Sequence, residues 1–152
     1  MGELFPDARV LRMDMDTTMA RFSHEKHFAD FSAGKYDIII GTQMVAKGLD
    51  FPNVTLVGVL SADSALYAQD YRSFERAFSL FTQVVGRSGR AQKAGRAFIQ
   101  TFTPENPVIA LAAAQDYDSF YEEEIESRRL HLYPPFCDMA GIGFSGQRGG
   151  ET

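Results

Sequence analysis

Short apolar runs rich in β-branched residues alternate along this chain with stretches of helical spacing. Asp37–Gly41 carries Ile38, Ile39 and Ile40 in a row, and Val54–Leu60 and Arg96–Phe102 form two more such runs. Continuous apolar runs of this length suit strands covered on both faces, as in a parallel sheet. Arg9–Met13, which mixes large apolar and basic residues, predicts a short strand ahead of them. The helical stretches lie between. Glu25–Phe31 predicts a weak helix that Thr17 or Thr18 would cap and Gly34 would stop. Tyr71–Val85 predicts a stronger one, with Phe74, Phe78, Phe81 and Val85 on one stripe. Pro104 and Pro107 open a helix that runs through Ala114, and Tyr117–Leu130 makes another. Thr42–Asp50 reads as a loop with at most one helical turn, and Phe51-Pro52-Asn53 turns the chain. This order predicts an α/β domain with a mostly parallel sheet flanked by helices. Ligands of such sheets collect at the carboxyl ends of strands, which directs attention to the polar segments after Ile40 and after Val85. Tyr133-Pro134-Pro135-Phe136 ends the last helix, so residues 1–133 are expected to form the domain. Residues 134–152 would be a boundary segment and the start of a truncated following region.

Length and composition narrow the class. A chain of 152 residues suits one compact domain. Hydrophobic residues at 45% and charged residues at 23% argue against global disorder. Cys137 is the only cysteine, which excludes an intramolecular disulfide and a zinc site built on several thiolates. No apolar run reaches the length of a membrane span, and the first residues lack the pattern of a signal peptide. A reducing cytoplasm is the expected location.

The net charge of −5 hides a division. Six acids and no Lys or Arg lie between Asp116 and Glu126, and the rest of the chain has 15 bases against 14 acids. Between Arg72 and Arg96 six bases face the single acid Glu75, enough for a local anion-binding face. The acidic stretch reads as a solvated helix face.

Two segments carry chemistry. The first, Gly41-Thr42-Gln43-Met44-Val45-Ala46-Lys47-Gly48-Leu49-Asp50-Phe51-Pro52-Asn53-Val54, leaves one predicted strand and enters the next. Thr42 and Gln43 offer neutral donors, Lys47 a cation, Gly48 a close backbone approach, and Asp50 an acceptor for a ribose hydroxyl or a loop amide. That mix fits a phosphate-and-sugar surface. The second, Gln83-Val84-Val85-Gly86-Arg87-Ser88-Gly89-Arg90, separates two arginines by a small-residue pair at a helix end. Arginine forks bind phosphate in a bidentate way and stay charged. On a scaffold, such a pair neutralises charge developing on a transferring phosphoryl group.

Taken in order, GTQxxxKGxDFPxV, a strand, and QxxGRxGR resemble motifs V and VI of superfamily 2 helicases. The wider run GTQMVAKGLDFPNVTLVGVLSAD, DYRSFERAFSLFTQVVGRSGR, GRAFIQTFTPENP and YPPF is similar to the primosomal replication-restart helicases, from about Glu3 to Phe136. The resemblance implies a RecA-like fold of the P-loop NTPase type: the second, C-terminal lobe of an ATP-driven DNA motor. It implies that Gly48 and Asp50 face the nucleotide, that Arg87 and Arg90 face its phosphates, and that Gln83 couples the lobes. Thr42, Gln43 and Lys47 would lie nearer the DNA backbone. The implied cofactor is ATP with Mg2+, held mainly by an N-terminal helicase lobe, with zinc elsewhere in the longer protein. The implied partners are forked or branched DNA, that N-terminal lobe, primosome proteins and single-strand-binding proteins. The implied polarity is 3′-to-5′.

The chain lacks the GxxxxGK[ST] phosphate loop, a DExH-type box and the family's cysteine cluster. It therefore reads as one lobe that alone neither hydrolyses ATP nor unwinds DNA. Asp63, which follows a predicted strand, reads as a loop or cap residue rather than a metal ligand. His24, His27 and His131 read as surface or packing residues, and Cys137 as a small boundary residue. Two alternatives share the same residues: a helicase-like lobe that only binds DNA or protein, and the lobe of another superfamily 2 helicase.

Overall fold

The computed structural model describes residues 2–13, 21–46, 51, 53–86 and 95–143. In chain order the elements are β1 (Val10–Met13), α1 (Arg21–Ser32), β2 (Ile38–Gly41), α2 (Gln43–Ala46), β3 (Leu56–Val59), α3 (Asp63–Leu66), α4 (Ser73–Val85), β4 (Arg96–Ile99), α5 (Pro107–Ala114) and α6 (Tyr117–Leu130). They fall into two compact units, Met1–Tyr117 and Asp118–Thr152.

The first unit holds every strand among the described residues, and both pairings are parallel. β1 runs beside β2 with Val10 opposite Ile38 and Met13 opposite Gly41. β3 runs beside β4 with Leu56 opposite Arg96 and Val59 opposite Ile99. Parallel neighbours need a crossover, and α1 makes one while α3 and α4 together make the other. Gly34, at φ +74°, stops α1 in the left-handed conformation that glycine adopts without strain. Phe51 packs on α1, with its ring 5.0 Å from that of Phe31 and 5.9 Å from that of Phe28. Asn106 caps α5, its side-chain oxygen accepting from the Val108 N–H at 3.0 Å, with Pro107 in the first turn. The capping pair Thr17 and Thr18 lies outside the described residues.

The strand runs differ from expectation in burial. Ile38–Ile40 are only half-buried, and β3 and β4 alternate between exposed and half-buried positions. Leu56 is 61% exposed and Phe98 57%; β4 ends at Ile99, leaving Phe102 92% exposed. Among the described residues each strand has one hydrogen-bonded neighbour. A continuous apolar run specifies strand, but the elements that cover it are a tertiary matter.

The buried core instead centres on α4. Ala77, Phe78, Phe81 and Val84 point inward at helical spacing, with Leu66, Val108 and Ala112 also buried. α4 and α5 pack extensively against each other. Phe78 meets the Tyr117 ring at 6.2 Å. The predicted stripe is thus shifted slightly, and Phe74 and Val85 are only half-buried.

Asp63, read from the sequence as a loop or cap residue, ties two loops together. At the start of α3 its carboxylate accepts from the Phe102 N–H at 3.1 and 3.2 Å and from the Thr101 hydroxyl at 3.0 Å. Burial pushes its pKa up, but these hydrogen bonds outweigh that and hold it below the usual carboxylate value. The clamp joins the segment after β3 to the segment after β4.

A second clamp closes the other pair at its amino end. Arg9 donates from Nε and Nη2 to Asp37 at 2.9 and 2.8 Å, from its backbone N–H at 2.9 Å, and from Nη2 to the Gly34 carbonyl at 2.9 Å. The Arg9 side-chain hydrogen bonds, then its backbone N–H, bring the Asp37 pKa down to about 2 from 3.8. A depressed carboxylate pKa contributes stability above its unfolded value that is lost as pH falls. Unfolding midpoints of the wild type are therefore expected to drop between about pH 4 and pH 2, and Asp37→Asn to flatten that window. Identical acid profiles for the two proteins would discount the Arg9–Asp37 clamp.

In the second unit, α6 offsets its own acids near its end. Arg128 pairs with Glu124 and Arg129 with Glu126, both at 2.8 Å. Beyond it, Cys137 Sγ donates to the Leu132 carbonyl at 2.5 Å, and the Arg129 guanidinium sits 5.1 Å from the centre of the Phe136 ring. Among the described residues no helix is long and apolar enough to cross a membrane.

Candidate functional site

β2 ends at Gly41, and the chain enters α2 at once. Thr42 and Gln43 therefore stand at the carboxyl end of a strand, both exposed. The turn is tight: the Val45 N–H donates to the Thr42 carbonyl at 3.0 Å. Gly41 allows it because a Cβ there would lie 2.6 Å from the Met13 carbonyl and would run into Val45 Cγ2. α2 packs against both β2 and α4.

α4 supplies the facing wall. Its apolar stripe faces the core, so Glu75, Arg76, Ser79 and Gln83 are carried on other sides of the helix. These four, with Leu80 and Gln43, line a cleft of about 390 Å3. Gln83 is half-buried, and its Nε2 donates to Ser79 Oγ one turn earlier at 3.1 Å. Arg76 Nη1 lies 2.8 Å from Asp70 Oδ2. The Arg72 backbone N–H is the largest influence holding Asp70 below the usual carboxylate pKa; burial opposes it, and the Arg76 and Arg72 charges add to it. The cleft thus offers two amides, a hydroxyl, a guanidinium and a carboxylate.

Two of the sequence-predicted residues, Gln43 and Gln83, therefore meet at one cleft although 40 positions separate them. Thr42 is not among the residues lining it. Lys47, Gly48, Asp50, Arg87 and Arg90 lie outside the described residues. Gly86, the last described residue before the arginines, closes α4 by donating its N–H to the Thr82 carbonyl at 2.9 Å. Sequence reasoning passed over Glu75, Ser79 and the cleft position of Arg76. Their signal was present: with Gln83 they repeat at three- and four-residue spacing beside the phenylalanine stripe. Among the described residues no group of three or more His, Cys, Asp or Glu is arranged to hold a metal ion.

Residues 4–92 match the family described as "Helicase conserved C-terminal domain". The replication restart protein PriA of Bacillus subtilis is 54% identical over 145 residues, which cover 95% of this chain and 18% of that protein. The protein of the same name from Chlamydia trachomatis is 52% identical over 147 residues, 97% of this chain and 20% of that protein. The chain spans about a fifth of the length of these curated relatives. Among solved structures, the C-terminal domain of the DEAD-box protein Dbp5 matches with a TM-score of 0.50 at 18% identity. That match covers 84% of this chain and 73% of the Dbp5 chain, and it supports the RecA-like, parallel α/β fold.

Proposed function

The chain belongs to the family of helicase conserved C-terminal domains, and on that premise we propose that it is the second motor lobe of an ATP-dependent DNA helicase acting in replication restart. In this reading Arg87 and Arg90 face the phosphates of ATP across the inter-lobe cleft, with Gly48 and Asp50 on the nucleotide side. Thr42, Gln43 and Lys47 contact the DNA backbone, and Gln83 couples the two. ATP with Mg2+ would be held mainly by the N-terminal helicase lobe, and zinc by another part of the longer protein. Forked or branched DNA, primosome proteins and single-strand-binding proteins are the proposed partners, and the bacterial cytoplasm the proposed location.

The observation that carries this reading is the meeting of Gln43 and Gln83 at one cleft. Two amides, a hydroxyl and a guanidinium fit hydrogen bonding to sugar and phosphate oxygens without base selection, with the Glu75 carboxylate suited to a sugar hydroxyl rather than a phosphate. Bound ATP supplies the transferring phosphoryl group and the free energy of the cycle. The chain's own part follows from continuity. A DNA strand that shifts Gln43 presses on the wall formed by α4, and α4 ends at Val85 with Gly86 as its cap, one residue before Arg87. Fixed guanidinium charges then stabilise negative charge on phosphate oxygens without reorganising. Backbone contacts also make DNA affinity fall with salt.

The test is DNA-stimulated ATP hydrolysis by the full-length protein carrying this lobe. Arg87→Ala and Arg90→Ala are each expected to lower turnover at least about tenfold, with ATP binding largely retained. Unchanged turnover in both would replace the motor reading with that of a helicase-shaped binding module.

A further inference from the structure

The amino end of α4 is tied down by a single aspartate. Asp70, shortly before the helix, accepts the Arg72 backbone N–H on Oδ1 at 2.9 Å, and its carbonyl accepts the Ser73 N–H at 2.9 Å. Those two bonds shape the turn that opens α4, and they leave the second carboxylate oxygen for another partner. Oδ2 reaches forward to Arg76 Nη1 at 2.8 Å, while Arg72 Nε lies 3.6 Å from Oδ1. The Arg72 guanidinium in turn sits 5.3 Å from the centre of the Tyr71 ring.

Fold stability gives little reason for the Arg76 contact. The Arg76 side chain is 57% exposed and that of Asp70 25%, and ion pairs at such surfaces contribute little. An asparagine at 70 would keep the acceptor for the Arg72 N–H. The contact instead fixes a long, flexible side chain at the cleft. Arg76 and Glu75 are the charged side chains that line it. Glu75 suits a sugar hydroxyl, so a phosphate there falls to Arg76. A guanidinium is planar and carries several N–H donors. One nitrogen bonded to Asp70 holds the plane and leaves the others for phosphate oxygens.

We infer that Asp70 is a positioning residue for Arg76, and that Arg76, held this way at the cleft it shares with Gln43 and Gln83, takes a backbone phosphate of the bound DNA strand. This rests on the reading above that the cleft meets the DNA backbone. Asp70 itself touches no DNA in this role. It acts by ordering Arg76 before the strand arrives.

The test is the affinity of the full-length protein for a labelled single-stranded oligothymidylate across a range of KCl concentrations. Arg76→Ala is expected to weaken binding about tenfold and to lower the slope of log affinity against log salt by about 0.7, the share of one phosphate. Asp70→Asn is expected to leave the unfolding temperature level and to weaken binding about fivefold, the cost of ordering one long side chain on binding. Charge alone predicts the opposite sign, because removing a carboxylate near DNA raises affinity. In an Arg76→Ala background Asp70→Asn is expected to cause no further loss, since both act on one group. Arg76→Lys keeps the charge without the fork, and is expected to restore the salt slope but not the full affinity. Gln43→Ala is the reference, expected to weaken binding with the slope unchanged because the amide is neutral. Tighter binding by Asp70→Asn overturns the positioning role, as does a loss that persists in the Arg76→Ala background. If Gln43→Ala weakens binding while Arg76→Ala does not, this inference alone falls. If neither weakens binding, the cleft reading falls and this inference with it.

Discussion

Gly41→Ala is expected to destabilise the fold by about 3 kcal/mol, the upper range for forcing volume into a packed site, and, on the proposed function, to lower DNA-stimulated turnover of the full-length protein with it. Gly41 is the last residue of β2 and stands opposite Met13 of β1. A Cβ there would lie 2.6 Å from the Met13 carbonyl oxygen, a distance real Cβ atoms essentially never show, and would also strike Val45. Met13 is 1% exposed, and its carbonyl is backbone, so it has no rotamer with which to yield. Either the carboxyl end of the β1–β2 pair splays, or α2 moves outward. The second response carries Gln43 away from α4 and opens the cleft it shares with Gln83. Gly58 is the control. It sits inside β3, where a Cβ would meet nothing within 4 Å. Gly58→Ala is expected to be neutral or to stabilise by up to about 1 kcal/mol through reduced backbone entropy. Denaturant titrations of the two variants followed by circular dichroism decide the matter. Equal midpoints would show that the tight junction between β2 and α2 carries no energetic weight.

That junction also shows where sequence reading stops. The strand was legible, because three isoleucines in a row leave few alternatives to β structure. The polar segment after it was legible as a candidate site, because ligands of parallel α/β sheets collect at strand ends. The need for glycine at 41 was not legible, since it comes from a carbonyl on a neighbouring strand 28 residues earlier. Gln43 and Gln83 had each been singled out for their chemistry, but given different duties. Only the packing of α2 on α4 brings them to one cleft. The left-handed cap that Gln115 gives α5, at φ +56°, left no trace in the sequence, because it is a backbone fact and glutamine does not advertise it. The half-exposed strands are the converse case. Leu56 and Phe98 looked like core because apolar runs report propensity rather than coverage.

Phe81→Ala is expected to cost about 4 kcal/mol, in the range for truncating a fully buried aromatic side chain. Phe81 is 0% exposed and lies on the inner stripe of α4, with Phe78 and Val84 also buried there. On the proposed function, an aromatic residue also invites a base-stacking reading, and the two readings predict opposite results. A stacking platform must present its ring to the strand, so its loss weakens DNA binding while leaving the fold intact. A core residue does the reverse: the unfolding midpoint falls, and the molecules that remain folded bind DNA as before. Phe81→Leu, which keeps most of the volume, is expected to recover most of the lost stability. Burial decides for the core. A ring with no exposed surface reaches a base only if α4 leaves its place, and that movement would also carry away Gln83 and the helix end that leads into Arg87. The phenylalanines that make the helix greasy thus keep the polar side of α4 in a fixed position. Total stability of a domain is only about 5–15 kcal/mol, so losing Phe81 would abolish the cleft beside α4 by unfolding the domain rather than by removing a contact.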